Sequence, residues 1–307
     1  MQSLRIVTRT SPLALWQAKH IQQRIKNQFP ELDIEIIGLK TTGDKWLSTS
    51  LQKIGGKGLF VKELQEALLS GKADLAVHSL KDIPAQFPEG LHLAAICERE
   101  NPFDAWISKE GSALNELPTG SKVGTSSLRR QVQLARIRPD LHYEPLRGNV
   151  DTRIKQCFDG KWDAIVLAVA GLKRLDLENT ITSIFTPEEM LPAVGQGALA
   201  LECRTNDEKT NAILSFLNHI PTRVCIEAER AMNAKLGGNC QVPVAGFAEI
   251  KNNRISLIGK VGDLKGTMLF AKRDGVLNDP RLLGEQVAQD LIVQGADVLI
   301  QSVLSNE

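Results

Sequence analysis

Lys122-Val123-Gly124-Thr125-Ser126-Ser127-Leu128-Arg129-Arg130 decides the fold class of this chain. Three residues of strand character run into three hydroxyl-bearing ones, and apolar residues then recur at helical spacing to Ile137. A short hydroxyl side chain ahead of a helix can take up a backbone N–H that the first turn leaves unpaired, so Thr125, Ser126 and Ser127 mark a helix start. The same strand–turn–helix order occurs near the N-terminus. There Leu4 to Val7 reads as strand, Ser11 as cap and Pro12 as first helical residue, with a helix to about Phe29. It recurs at Leu141 to Pro145, followed by Arg147-Gly148-Asn149-Val150. Ile34 to Leu39, Ala73 to Val77 and Ala164 to Ala168 read as further strands, and Leu59 to Leu69 as an amphipathic helix. Alternating strands and helices imply βαβ units and parallel sheets, hence two α/β domains around a cleft. From Arg223 the order changes to one helix, three strand-like runs (Val244 to Glu249, Arg254 to Val261, Met268 to Lys272) and a helix from Arg281 to Gln294. That predicts a C-terminal α+β domain with a three-stranded sheet. The expected domains are residues 1–98 with 197–218, residues 103–192, and residues 221–307. Thr41 to Lys57 is polar, glycine-rich and aperiodic, and reads as a mobile loop.

A chain of 307 residues is too long for one simple core. Its net charge of +1 argues against general binding to nucleic acid or membrane surfaces, so its arginines matter by position. No apolar run could span a bilayer and Met1 to Arg5 lacks a signal-peptide core, so a soluble cytoplasmic protein is expected. The five cysteines form an odd set without a CxxC pair, and the five histidines are scattered. Neither a disulfide framework nor a metal site is expected.

The chemistry-bearing residues cluster at the strand-to-helix turns. Helix N-termini favour anions, and cations there oppose the macrodipole, so Arg129 and Arg130 in a first turn suggest a compensating anion. A capped helix with a solvated basic face is the plain alternative. Arg147 and Arg153 flank a second junction, and Arg9 with Ser11 forms a third. Three such junctions favour a shared carboxylate or phosphate ligand. Lys81 and Asp82 in His78-Ser79-Leu80-Lys81-Asp82 lie past the end of a strand, the edge at which open α/β sheets bind ligands. They could equally form a local ion pair of little worth. Gly171 to Arg174 follows another strand. Gly55-Gly56-Lys57-Gly58 lacks P-loop spacing. Cys240 stands in Leu236-Gly237-Gly238-Asn239-Cys240-Gln241-Val242-Pro243, where two glycines precede the thiol and a proline follows it. The default for a free cysteine is a small buried hydrophobe. This setting suits a thiol that must carry something covalent.

Taken together, Arg9 to Leu15, Gly55 to Phe60, His78 to Asp82, Gly124 to Arg130, Leu146 to Val150, Pro192-Ala193-Val194-Gly195-Gln196-Gly197 and Cys240 to Pro243 resemble the porphobilinogen deaminase family, in the same order along nearly the whole chain. The resemblance implies two periplasmic-binding-protein-like α/β domains plus the C-terminal domain. It implies that four porphobilinogen molecules are joined head to tail, with loss of ammonia, into hydroxymethylbilane. A dipyrromethane cofactor would be held through a thioether to Cys240, and Asp82 would be catalytic. Lys81, Asp82, Thr125, Ser126, Ser127, Arg129, Arg130, Arg153 and Gly171 would bind the cofactor. Arg9, Ser11, Lys57, Phe60, Ser79, Arg147, Arg153, Arg174 and Gln196 would bind substrate, the arginines holding acetate and propionate groups. Porphobilinogen would be the small-molecule substrate of a monomer, with no nucleic acid, membrane or metal, and the product could pass to uroporphyrinogen-III synthase. One departure is Asn239, where the family usually has glycine before the cysteine. Two rivals remain at this level. One is a two-lobed anion-binding protein without activity. The other is a cysteine-nucleophile hydrolase or transferase, which would want a histidine beside the thiol.

Overall fold

The computed structural model describes residues 3–41, 61–238 and 242–305. Lys57, Phe60, Asn239, Cys240 and the expected loop from 42 to 57 lie outside the described residues. The chain divides into two compact units, Met1–Glu100 with Gly197–Arg223, and Asn101–Gln196 with Val224–Glu307.

In the first unit, β1 (Ser3–Arg9), α1 (Pro12–Gln28), β2 (Asp33–Leu39), α2 (Lys62–Leu69), β3 (Leu75–Ser79) and β4 (Leu91–Ile96) are followed, after the return of the chain at Gly197, by β10 (Leu199–Arg204) and α6 (Glu208–Leu214). The sheet order is β2-β1-β3-β10-β4. β1 is parallel to β2 and β3, and β10 is antiparallel to β3 and β4. The cap of α1 is as expected: Ala14 N donates to Ser11 Oγ, and Pro12 opens the helix. Leu4 and Ile6 face Ala18, Ile21 and Ile25 of α1 on one side of the sheet. Val7 and Ala76 face Leu64 and Leu68 of α2 on the other. Both faces are covered, which is why Leu75, Ala76 and Val77 of β3 read as a continuous apolar run rather than an alternating one.

The second unit begins with β5 (Asp104–Ser108), β6 (Lys122–Gly124), α3 (Leu128–Ile137), β7 (His142–Glu144), α4 (Val150–Phe158), β8 (Ala164–Ala168), α5 (Val169–Lys173) and β9 (Ser183–Ile184). Its sheet order, β7-β6-β8-β5-β9, repeats the pattern of the first. β6 is parallel to β7 and β8, and β5 runs antiparallel between β8 and β9. The unit continues from Val224 within α7 (Ile220–Lys235) through β11 (Val244–Lys251), β12 (Arg254–Gly262) and β13 (Met268–Gly275) to α8 (Pro280–Val293) and α9 (Ala296–Ser305). These three strands form the expected antiparallel sheet, packed on α7 and α8 through Met232, Leu257, Val287 and Leu291. Buried Glu229 of α7 accepts from Gly195 N (2.8 Å) and Ala248 N (2.9 Å), tying the segment before residue 197 to β11.

The fold class is the expected α/β with a C-terminal α+β part, but the two large sheets are mixed rather than parallel. The antiparallel strands β5 and β10, and the helices α6 and α9, carry no strand-to-helix signature and were not anticipated. β3 also runs two residues further than expected, because His78 and Ser79 still pair with Ala200 and Leu199 of β10.

Gly284 of α8 lies against the α7 backbone, where an added Cβ would press on Ala228 O and Met232 N. Alanine would add about 1 kcal/mol of helix propensity, but the overlap with a rigid backbone should outweigh it. Gly284→Ala should therefore lower stability by roughly 1–3 kcal/mol, measured by thermal or urea denaturation. An unchanged or raised melting temperature would contradict this packing.

Candidate active site

In the first unit, β1 ends at Arg9 ahead of the Ser11 cap, and β3 ends at Ser79 ahead of a single 3₁₀ turn, Leu80–Asp82. β1 and β3 are parallel neighbours and β2 lies on the other side of β1, so this edge is a topological switch point. A pocket opens there, lined among others by Arg9, Ser11, Gln17, His78, Ser79 and Asp82. Buried Gln17 donates to Ser79 Oγ at 2.9 Å, and Leu80 N donates to Ala198 O at 3.0 Å, fixing the turn that carries Lys81 and Asp82. Both of those side chains are half-buried. Behind the pocket wall, His78 Nε2 lies 3.0 Å from Glu202 Oε2, close enough for an ion pair but without hydrogen-bond directionality. Gln65 Nε2 donates to Glu202 Oε1 at 2.8 Å.

In the second unit, β6, β7 and β8 deliver their residues to one sheet edge. Thr125 is buried and its Oγ1 accepts from Ser127 N at 3.2 Å, while the Ser126 hydroxyl donates to Leu146 O at 2.8 Å. Gly148 has φ +109°, a conformation open to glycine, and an added Cβ would crowd Thr152. This turn lets Arg153 Nε donate to Gly148 O at 2.7 Å from the first turn of α4. Arg147 and Arg153 are half-buried, and Gly171 and Arg174, after β8, are buried.

Arg129 and Arg130 are both buried. Their shared partner is Asp104, the first residue of β5, whose side chain is 0% exposed. Arg130 Nε and Nη2 donate to Asp104 Oδ1 at 3.1 and 2.7 Å, and Arg129 Nη2 lies 2.8 Å from Oδ2. Gln196 Nε2 reaches the same Oδ1 at 3.0 Å. Burial pushes the Asp104 carboxyl up, but Arg129 and Arg130 outweigh it and hold the group well below the usual carboxylate range. The anion that the arginines of this helix start call for is thus supplied in part by the chain itself. Asp104 escaped the sequence reading, although a lone acid opening the run Asp104-Ala105-Trp106-Ile107 is a usable signal.

The site residues expected from sequence therefore fall on two edges. Arg9, Ser11, Ser79, Lys81 and Asp82 belong to the first unit, and Thr125, Ser126, Ser127, Arg129, Arg130, Arg147, Arg153, Gly171, Arg174 and Gln196 to the second. Among the described residues the cysteines are buried. Cys203 Sγ lies 3.6 Å from both His92 Nε2 and Asn211 Oδ1, a grouping that resembles a nucleophile with its base. Burial nevertheless pushes this thiol up to about 12, so it is not a nucleophile near neutrality. Burial likewise pushes Cys157 up to about 11.

The profile of the porphobilinogen deaminase dipyrromethane cofactor binding domain matches residues 4–212, and that of the porphobilinogen deaminase C-terminal domain matches residues 223–293. The chain belongs to the porphobilinogen deaminase family. Its cofactor is dipyrromethane, and its role lies in building tetrapyrroles. Each pyrrole of a dipyrromethane carries two carboxylates, and the guanidinium and hydroxyl groups that follow β6, β7 and β8 fit that load. Solved structures also match at low identity. The Bordetella pertussis BvgS VFT2 domain is 17% identical, with a TM-score of 0.42 over 69% of this chain and 84% of that one. The periplasmic aliphatic sulphonate binding protein SsuA from Escherichia coli is 17% identical, with a TM-score of 0.43 over 76% and 70%. The methionine binding protein MetQ is 14% identical, with a TM-score of 0.45 over 70% and 89%. No helix among the described residues is long and apolar enough to cross a membrane.

The raised thiols give a direct check. Alkylation of the native protein with iodoacetamide at pH 8, followed by peptide mass spectrometry, should leave Cys157 and Cys203 unmodified. Modification of either at the rate of a free thiol would overturn their placement.

Proposed function

We propose that this chain is a hydroxymethylbilane synthase. It joins four porphobilinogen molecules head to tail, releasing one ammonia at each addition, on a dipyrromethane held by a thioether to Cys240. The observation that carries this reading is the first unit's pocket. It gathers the Asp82 carboxylate, the Arg9 guanidinium and the Ser11 and Ser79 hydroxyls at a switch point of the sheet.

The bound dipyrromethane supplies the free pyrrole carbon that starts the chain. Thr125, Ser126, Ser127, Arg129, Arg130, Arg153, Gly171 and Lys81 bind its carboxylates or line its site. Arg9, Arg147, Arg153 and Arg174 hold the acetate and propionate groups of substrate and growing product, with Ser11, Ser79, Gln196, Lys57 and Phe60 beside them. Loss of ammonia leaves positive charge on the substrate's methylene and ring. Asp82 accepts hydrogen bonds from pyrrole N–H groups and offsets that charge. A half-buried carboxylate on a braced turn does so without reorganising, which is where electrostatic catalysis gains most. Buried Gln17 keeps the Ser79 hydroxyl in place beside it. Residues 1–98 with 197–218, 103–192 and 221–307 act as three domains of a cytoplasmic monomer, whose product passes to uroporphyrinogen-III synthase.

Two variants test this reading. Cys240→Ser should fold yet lack the dipyrromethane in its intact mass and show no turnover, because a hydroxyl is a far weaker nucleophile than a thiolate. Normal turnover in that variant would sink the assignment. Asp82→Asn keeps the shape but removes the charge. It should retain the cofactor mass and lose roughly 10²-fold or more in kcat, about 3 kcal/mol, with Asp82→Glu recovering part of the rate. Asp82→Asn turning over porphobilinogen as fast as the parent would reduce Asp82 to a structural residue.

A further inference from the structure

Two adjacent arginines face one buried carboxylate, and they are used differently. Arg130 gives all three guanidinium nitrogens to the protein: Nε and Nη2 to Asp104 Oδ1, and Nη1 to Val166 O at 2.8 Å. Arg129 gives Nη1 to Leu191 O at 2.6 Å and sets Nη2 against Asp104 Oδ2, while its Nε makes no hydrogen bond to any described residue. Two positive charges and one negative charge leave the cluster one positive charge in excess, with all three side chains nine-tenths buried or more. Burial lowers the Arg129 pKa, with Asp104 opposing the shift and the neighbouring charge of Arg130 adding to it, so the guanidinium stays below its ordinary range. A buried charge of that kind is costly unless something balances it.

The first unit holds a useful contrast. There Asp74 takes Arg5 Nη2 at 2.9 Å and Arg204 Nη2 at 3.0 Å, and Arg204 Nη2 also meets Asp207 at 2.7 Å. Two arginines face two carboxylates, so the charges cancel. That cluster lies at the start of β3, away from the edge that carries Asp82.

We propose that Asp104 is a positioning residue of the cofactor site: it fixes Arg129 and, by balancing only one of two buried arginines, reserves one positive charge for a single carboxylate of the dipyrromethane. Arg130 is then a brace that locks Asp104 to β8, and Arg129 is the member that meets the ligand. The proposal rests on the cofactor-binding reading above. Loading joins the Cys240 sulfur to the methylene of one porphobilinogen unit, the thiol proton passing to the amine that leaves as ammonia. The free pyrrole carbon of that unit then bonds to the methylene of a second, its C–H proton passing to the second departing ammonia.

The test uses apo protein made in cells that cannot supply porphobilinogen. Parent and variants are mixed with porphobilinogen, the gain of two pyrrole units is followed by intact mass, and folding is followed by melting. Asp104→Asn should load more slowly by on the order of ten-fold or more even where it is fully folded, as expected for a displaced binding group. Asp104→Glu should recover part of the rate. Should Asp104→Asn fail to fold, the paired change Asp104→Leu with Arg130→Met replaces one charge of each sign by apolar groups, a substitution that buried ion pairs often tolerate. It keeps the excess charge on Arg129 but removes the brace, so it too should load slowly. Parent-like loading by folded Asp104→Asn, or by the paired variant, overturns the proposal. A parent that gains no pyrrole mass at all overturns the cofactor reading, and the proposal with it.

Discussion

The ion cluster of Asp104 with Arg129 and Arg130 is the constraint on which the second unit depends. A carboxylate wholly removed from water is tolerated only when paired and hydrogen-bonded, and removing one partner of such a pair costs roughly 3–5 kcal/mol. Here the pairing also sets positions. It holds the first turn of α3 over the start of β5, reaches β8 through Val166 O, and grips Leu191 and Gln196 on the segment leading to the chain's return. Gln133 strengthens that grip, with its Oε1 accepting from Leu191 N at 2.9 Å. The hydroxyls of Thr125, Ser126 and Ser127 stand where they do because α3 cannot tilt without breaking these contacts.

The strand order explains why the charged groups gather at one edge of each sheet. In both units four strands run the same way, three of them ending where the candidate residues lie, and the fourth strand in sheet order runs the other way. An antiparallel strand presents its beginning at that edge. Asp104 therefore opens β5 opposite Ala168, the last residue of β8. In the first unit the buried acid of the antiparallel strand lies deeper: Glu202 of β10 pairs with Ala76 near the start of β3, within reach of His78.

Much of this was legible in the sequence. The cap at Ser11, the strands at 122–124 and 164–168, the helix at 128–137 and the three-stranded C-terminal sheet follow from local patterning that the structure repeats, whereas Ser127 holds the cap position of α3 without a capping hydrogen bond. So do the candidate arginines, because strand-to-helix turns are local features. What was not legible is what depends on pairing distant in sequence. β10 joins β3 across about 120 residues, and nothing local marks a strand as antiparallel. The partner of Arg129 and Arg130 was invisible for the same reason, since Asp104 precedes them by some 25 residues with a whole strand and turn between. His78 and Ser79 read as loop because their strand partners come from that late segment.

The insertion of β10 between β3 and β4 has a consequence for the order in which the protein can take shape during synthesis. The first unit's residues to Glu100 leave the ribosome long before Leu199–Arg204 exists. At 5–20 residues per second the delay is roughly 5–20 s. For that time β3 and β4 lack the strand that joins them and leave backbone groups open to wrong partners. The sheet formed by residues 101–196 meanwhile has all of its own strands. The half of the chain made second can thus finish its first sheet before the half made first can finish the sheet that carries Asp82, and the Asp82 turn, pinned through Ala198, is among the last parts to settle.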